Sequence, residues 1–326
     1  MDLISELKWR GLYKDTTDLD KLKKVIENTD PFYLGIDPTA DSIHIGHLLS
    51  IELLRILSSH NMKPFLLIGG ATASIGDPSG KTAERKVIRS KELVHNINSL
   101  TNQIEDIYNR NKKSFGNNFK ILNNLEWYQN LDLIKFLRDY GKHINIASMI
   151  SKDNVKKRIE TGISFTEFSY QLMQGFDYLH LRDKYGVKLQ IGGSDQWGNI
   201  VTGTELIRKS LKKDDVVGMT VNLLLDKSGN KIGKTSSGEV IWLSENKTSS
   251  FKLHQYLRSQ SDDMAMDLVK KLTLISKSKF EELLKLHNQE PKKRIFQNFI
   301  SNYLISFLGH KTTYDVVIKV SNAIFS

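Results

Sequence analysis

The sequence predicts an α/β protein, a Rossmann-like parallel-sheet domain followed by a smaller all-helical domain, and three observations carry that prediction. Short apolar runs alternate with amphipathic stretches from about Phe32 onward. Several of those runs end in turns rich in glycine and aspartate. After residue 249 no β-alternating run remains. Strands separated by helices imply βαβ units, a parallel sheet and right-handed crossovers. The expected division is residues 1–221 for the sheet domain, 222–248 for a linker and 249–326 for the helical domain.

Taken in order, MDLISELKWRGLY is charged and helix-like, and lacks the basic leader, apolar core and cleavage site of a secretory signal. FYLGI reads as a strand, followed by a turn and a helix from about Gly46. KPFLLIGGA is a buried strand ending in glycines, residues 90–112 a polar helix, and KILNN a short strand. DLIKFLRDYG is a helix with a glycine stop. VKLQIGG is a strand leading into SDQWGNIVTGTELIRKSL, a helix that Ser194 or Asp195 can cap. After MTVNLLL comes DKSGNKIGKTSSGE, polar, glycine-rich and lysine-bearing, which reads as a mobile surface loop.

Composition narrows the class. The absence of cysteine excludes disulfides and thiolate metal sites and fits a reducing compartment, with the cytoplasm as default. No apolar run is long enough to span a membrane. A formal charge of +10 favours a polyanionic partner, and residues 251–326, with 12 Lys/Arg against 7 Asp/Glu, supply half of that excess.

Ligands of open α/β sheets bind beyond the carboxyl ends of the strands. Three such ends are rich in chemistry: YLGIDPT, IGGATASIGDPSGKT and QIGGSDQWGN. SGKT (79–82) and IGKT (232–235) look like phosphate loops, but Gly76/Gly80 and Gly229/Gly233 each enclose three residues where a Walker loop needs four. That excludes a P-loop nucleotidase. His44 and His47 flank Ile-Gly at the mouth of a helix. They are three apart with no glutamate between them, and no metal site is expected. A helix N-terminus instead presents unpaired N–H groups to phosphate, and Gly46 leaves room for a ligand to approach the backbone. In SFTEFSYQLMQGFDYLHL, helical spacing puts Tyr170, Gln174 and Asp177 on one face, a polar stripe suited to lining a pocket.

HIGH after a first strand, with a downstream KIGKT loop, resembles the signature pair of class I aminoacyl-tRNA synthetases. The second motif keeps both lysines but departs from the family-wide form at Ile232, Gly233 and Thr235. YLGIDPTADSIHIGH, GGATASIGDPSG, GISFTEFSYQLMQGFDY and LQIGGSDQWGN are similar, in order and across essentially the whole chain, to blocks of bacterial-type tyrosyl-tRNA synthetases. The resemblance implies ATP-dependent activation of L-tyrosine and its transfer to tRNA(Tyr), with Mg²⁺ carried by ATP. It places Tyr33 and Asp177 on the substrate phenol, Asp77, Tyr170 and Gln174 on its α-ammonium, and Gln196 near its carboxylate. Gly35, Asp37, Thr39, His44, Gly46 and His47 would surround the ATP phosphates and adenosine, Gly193 and Asp195 the ribose. Lys231, Lys234 and Thr235 would close over the phosphates.

The resemblance also implies a homodimer, with GISFTEF in its interface, and a small RNA-binding module after the helical domain. With the sequence ending at NAIFS, that module is expected to be missing, adenylate formation to survive and transfer to tRNA to be impaired. Lys292, Lys293 and Arg294, with Lys81, Arg85 and Lys86, are candidate RNA contacts. Two alternatives stand beside this reading: a non-enzymatic RNA-binding relative of splicing type, and an enzyme activating a different aromatic amino acid. Intact HIGH, both loop lysines and the complete Tyr/Gln/Asp stripe weigh against the first. Asp177 weighs against the tryptophanyl form of the second.

Overall fold

The computed structural model describes residues 1–79, 88–116, 118–150, 155, 159, 162–225, 229, 232–233 and 238–325. Its centre is a six-stranded sheet of β1 (Tyr13–Thr16), β2 (Pro31–Ile36), β3 (Lys63–Ile68), β4 (Lys120–Asn123), β5 (Leu189–Gly193) and β6 (Val217–Val221). Their order across the sheet is β1-β6-β5-β2-β3-β4, and every neighbouring pair is parallel except β1 with β6. The antiparallel edge strand is a departure from the all-parallel expectation. Its sequence, YKDT, carries no apolar alternation, so its pairing comes from the partner edge rather than from its own pattern.

The central strands are buried on both faces, which is why they read as continuous apolar runs. Helices α1 (Leu3–Trp9), α2 (Leu19–Glu27), α3 (Ile45–Ser59), α4 (Gly70–Ile75), α5 (Ser90–Arg110), α6 (Leu125–Tyr128), α7 (Leu133–Asp139), α8 (Phe165–Tyr185) and α9 (Trp197–Leu211) accompany the sheet. Ser164 starts α8 by accepting from the Glu167 N–H, and Gly186 ends it in the left-handed conformation.

Beyond the sheet, residues 250–325 hold α10 (Ser250–Arg258), α11 (Asp262–Lys271), α12 (Lys277–Gln289), α13 (Ile295–Leu308) and α14 (Tyr314–Phe325). Serines 249, 261 and 276 cap the first three through their hydroxyls. These helices share one apolar cluster with α1, α3 and the sheet, running from Leu7 and Ile51 through Leu268 to Phe296 and Ile300. Two buried cations cross the same junction. Arg10 donates to the carbonyls of Lys270, Thr273 and Ile275. Arg55 pairs with fully buried Glu52 and also donates to the Tyr303 hydroxyl on α13. Burial raises the Glu52 pKa to about 7, against the pull of Arg55.

Arg294, one of the candidate RNA contacts, also has a structural task. It donates to the carbonyls of Arg258 and Gln260, closing the end of α10, and its neighbours Lys292 and Lys293 are exposed. Lys81, Arg85 and Lys86 lie outside the described residues. Among the described residues no helix is long and apolar enough to cross a membrane.

Candidate active site

The chain leaves β2 toward β3 and β4 on one side, and β5 leads to β6 on the other. The carboxyl ends of β2 and β5, paired with Tyr33 opposite Gln190, therefore open a crevice at the switch point of the sheet. A cleft of about 710 Å³ occupies it. Tyr33, Gly35, Asp37, Thr39, His44, Gly46, His47, Asp77, Tyr170, Gln174, Asp177, Gly193, Asp195 and Gln196 all line that cleft. Lys231, Lys234 and Thr235 lie outside the described residues.

At one end sits a buried polar network. Asp177 is 2% exposed. Its Oδ1 accepts from the Trp127 indole N–H at 2.9 Å and its Oδ2 from the Asn124 amide at 3.0 Å. Burial pushes its pKa up to about 7, although both N–H groups favour the anion. The Tyr33 hydroxyl is buried and has no hydrogen-bond partner among the described residues. Burial, then the Asp177 charge, raise its pKa well above the usual tyrosine value, so it is a phenol at neutral pH. A buried hydroxyl left unpaired costs about 1–3 kcal/mol, which marks it as waiting for a ligand group.

Along the stripe, Tyr170 donates to Asp37 Oδ2 at 2.8 Å, and the Thr72 hydroxyl to Asp37 Oδ1 at 2.8 Å. Gln196 donates to Asp77 Oδ2 at 2.7 Å, and Asn199 donates to both Gln174 and Gln196. Four carboxylates, Asp37, Asp77, Asp177 and Asp195, thus face one cleft, an environment that favours a cationic group.

The two histidines occupy the N-terminus of α3. His44 is its N-cap, in extended backbone, and its Nδ1 accepts from the Gly46 N–H at 3.1 Å. His47 Nδ1 accepts from the His44 N–H at 3.4 Å, closing a capping box made of two imidazoles. The rings stack at 3.8 Å and 12°. With each Nδ1 accepting, the hydrogen bonds assign the neutral rings' protons to Nε2. Burial, together with the adjacent His44, lowers the His47 pKa to about 3, so this ring is neutral at physiological pH. A Cβ on Gly46 would lie 2.9 Å from His44 Cε1. The glycine therefore also makes room for the capping imidazole beside it, and not only for a ligand as the sequence suggested.

Part of the KIGKT loop is described. Buried Ile232 lines the cleft, and Gly233, at φ +127°, packs against Ile45. The backbone between the two lysines is thus seated on the N-terminus of α3. One capping expectation is corrected. Ser194–Gln196 form a 3₁₀ turn that moves the start of α9 to Trp197, and its N-cap, Gln196, makes no side-chain capping bond. Neither Ser194 nor Asp195 caps the helix.

Sequence reading missed Asn124, Trp127, Thr72 and Asn199. Asn124 and Trp127 follow β4, some fifty residues before Asp177, and only the sheet topology brings them together. Among the described residues no cluster of three His, Asp or Glu is placed to hold a metal ion.

A Rossmann-type sheet with a histidine pair at the N-terminus of α3, and Ile232 and Gly233 lying against that helix end, matches the class I synthetases. The profile described as tRNA synthetases class I (W and Y) matches residues 28–326, and the chain belongs to that family. The tyrosine–tRNA ligase of Mycoplasma capricolum is 40% identical over 326 residues, covering all of this chain and 77% of its own length. That of Mycoplasmoides gallisepticum is 41% identical over 329 residues, with the same coverage. The C-terminally truncated mitochondrial tyrosyl-tRNA synthetase of Aspergillus nidulans superposes with a TM-score of 0.88 at 30% identity, covering 99% of this chain and 94% of that one. A tryptophan-bound tryptophanyl-tRNA synthetase from Encephalitozoon cuniculi shares the fold alone, with a TM-score of 0.64 at 16% identity, covering 96% and 89%.

Proposed function

We propose that this chain is a tyrosine–tRNA ligase, activating L-tyrosine with ATP and passing the tyrosyl group to tRNA(Tyr). The observation that carries the choice of amino acid is the unpartnered Tyr33 hydroxyl beside the Asp177 carboxylate at the buried end of the cleft. A para-hydroxyl on the substrate ring satisfies both groups, donating to Asp177 and accepting from Tyr33. Neither an indole nor a bare phenyl ring does so. Asp77, Tyr170 and Gln174 take the α-ammonium, and Gln196 lies by the carboxylate. ATP–pyrophosphate exchange across the twenty amino acids tests the assignment, and equal or greater exchange with phenylalanine or tryptophan would overturn it. The splicing-type alternative is not favoured, because relatives about 40% identical over the whole of this chain are named tyrosine–tRNA ligases.

In the first step a tyrosine carboxylate oxygen attacks the α-phosphorus of ATP. The bond to the bridging oxygen breaks, and pyrophosphate leaves with the electron pair. In the second, the terminal hydroxyl of tRNA attacks the acyl carbon and AMP departs. No side chain becomes covalently attached. The protein holds the reactants in line and stabilises charge on the phosphate oxygens. Gly35, Asp37, Thr39 and Gly46 border the nucleotide, His44 and His47 bind the phosphates, and Gly193 and Asp195 meet the ribose. The described residues lining the cleft include no lysine or arginine. This supports Lys231, Lys234 and Thr235 as the groups that grip the departing pyrophosphate. Mg²⁺, carried in with ATP, supplies further charge neutralisation.

Tyrosine binding should depend on pH with a definite sign. The Asp177 pKa in the empty site is raised to about 7. Accepting the phenol O–H requires the anion, so binding expels that proton and affinity rises with pH through this value. The tyrosine dissociation constant is expected to increase about tenfold from pH 8 to pH 6. Equilibrium dialysis showing no change over that interval would count against the role of Asp177.

The helical segment, basic overall, is proposed to meet the anticodon side of the tRNA. Homodimerisation is proposed through the apolar side chains left exposed on α7, Leu133, Ile134 and Leu137, and at the start of α8, where Phe165 is 80% exposed. Combining Ile134→Asp with Phe165→Asp is expected to convert a dimer to a monomer in sedimentation velocity. A parent that already sediments as a monomer would refute the assignment.

A further inference from the structure

Trp127 meets two residues of one helix face. Its N–H reaches Asp177, and its ring lies over the imidazole of His180, with centroids 4.3 Å apart and planes at 17°. Asp177 and His180 are three apart on α8 and therefore neighbours on its surface. The two N–H donors that fix the Asp177 carboxylate differ in how firmly they are themselves held. Asn124 is fully buried, and its amide makes three bonds, accepting from the Ala71 N–H and donating to Thr72 and Asp177. Its geometry is over-determined. Trp127 is half-buried and stands on α6, a single helical turn whose N-cap makes no side-chain capping bond. The indole makes one hydrogen bond and rests against the apolar cluster of Phe136, Phe176 and Leu179, and the flat ring stacked on its face limits the swing about its side-chain torsions that this leaves.

We propose that His180 is a positioning residue for tyrosine selection: its imidazole holds the Trp127 indole at the angle that keeps Nε1–H on Asp177. The role rests on the reading above, in which Asp177 takes the substrate phenol. It extends that reading outward, from the carboxylate to a half-buried histidine that lies outside the cleft lining. Loss of the stack loosens the indole, weakens one of the hydrogen bonds that orient the carboxylate, and blurs the acceptor that tyrosine needs. Phenylalanine, which makes no bond there, is unaffected.

The test is ATP–pyrophosphate exchange with tyrosine and phenylalanine in the full chain. His180→Ala is expected to raise the tyrosine KM about threefold to tenfold and lower the tyrosine-over-phenylalanine ratio by the same factor. The ATP KM and the phenylalanine kcat/KM should stay within about twofold of the parent. His180→Phe, which restores a flat ring, should recover most of the loss. In a Trp127→Phe background, where the N–H is already gone, His180→Ala should change the ratio by less than about twofold. The proposal is overturned if His180→Ala leaves the ratio unchanged, if the same factor persists without the indole N–H, or if tyrosine and ATP parameters decline together. A parent that shows no preference for tyrosine would instead remove the reading of Asp177 itself, and this role with it.

Discussion

His44→Asn is expected to lower the rate of tyrosyl-adenylate formation by about 10²-fold or more, with tyrosine binding nearly intact. The choice of asparagine follows from the double duty of His44. Its Nδ1 caps α3 by accepting from Gly46 N–H, while the hydrogen-bond pattern leaves its proton on Nε2. Asparagine is among the best N-capping residues and preserves the first role without the second. His44→Ala removes both and is expected to cost about 1 kcal/mol of stability as well. Pre-steady-state adenylate formation, tyrosine dialysis and a thermal melt separate these effects. A rate within about threefold of the parent, or an equal loss of tyrosine affinity, would sink the phosphate-binding role.

Tyr33→Phe and Asp177→Asn are both expected to erode discrimination between tyrosine and phenylalanine, but with opposite effects on stability. The Tyr33 hydroxyl is buried without a partner, so its deletion should stabilise the ligand-free protein while costing the bound phenol a donor. Asp177→Asn must point an NH₂ at either Trp127 or Asn124, both already donors, and so should destabilise the fold. Each lost or unpaired bond is worth about 1–3 kcal/mol, a factor of about 5 to 150 in the ratio of kcat/KM values. Exchange kinetics with both amino acids, beside melting curves, checks the pair. An unchanged ratio in both variants would mean that the phenol is read elsewhere.

Much of this architecture is legible in the sequence, because periodicity and strand-end chemistry are local. FYLGI, KPFLLI and LQIGG declare buried strands, and the spacing of Tyr170, Gln174 and Asp177 declares a shared helix face. What is not legible depends on distance in the chain or on unusual chemistry. Trp127 and Asn124 reach Asp177 only because β4 lies beyond β3 at the sheet edge. A histidine that caps its own helix is outside the usual Ser, Thr, Asp and Asn set, so the capping box at α3 carries no familiar signature. Edge strand β1, four polar-leaning residues, takes its identity from its neighbour.

The junction between sheet and helices has a wider bearing. Where composition changes at residues 222–248, the apolar interior does not: the same cluster continues from Leu7 and Ile51 into Phe296 and Ile300, and Arg10 and Arg55 are each bonded on both sides. The two parts therefore behave as a single solid body rather than as beads on a string. Any recombination between relatives would have to keep α1 with the turn that follows α11, and α3 with α13, since separating either pair strands a guanidinium in oil.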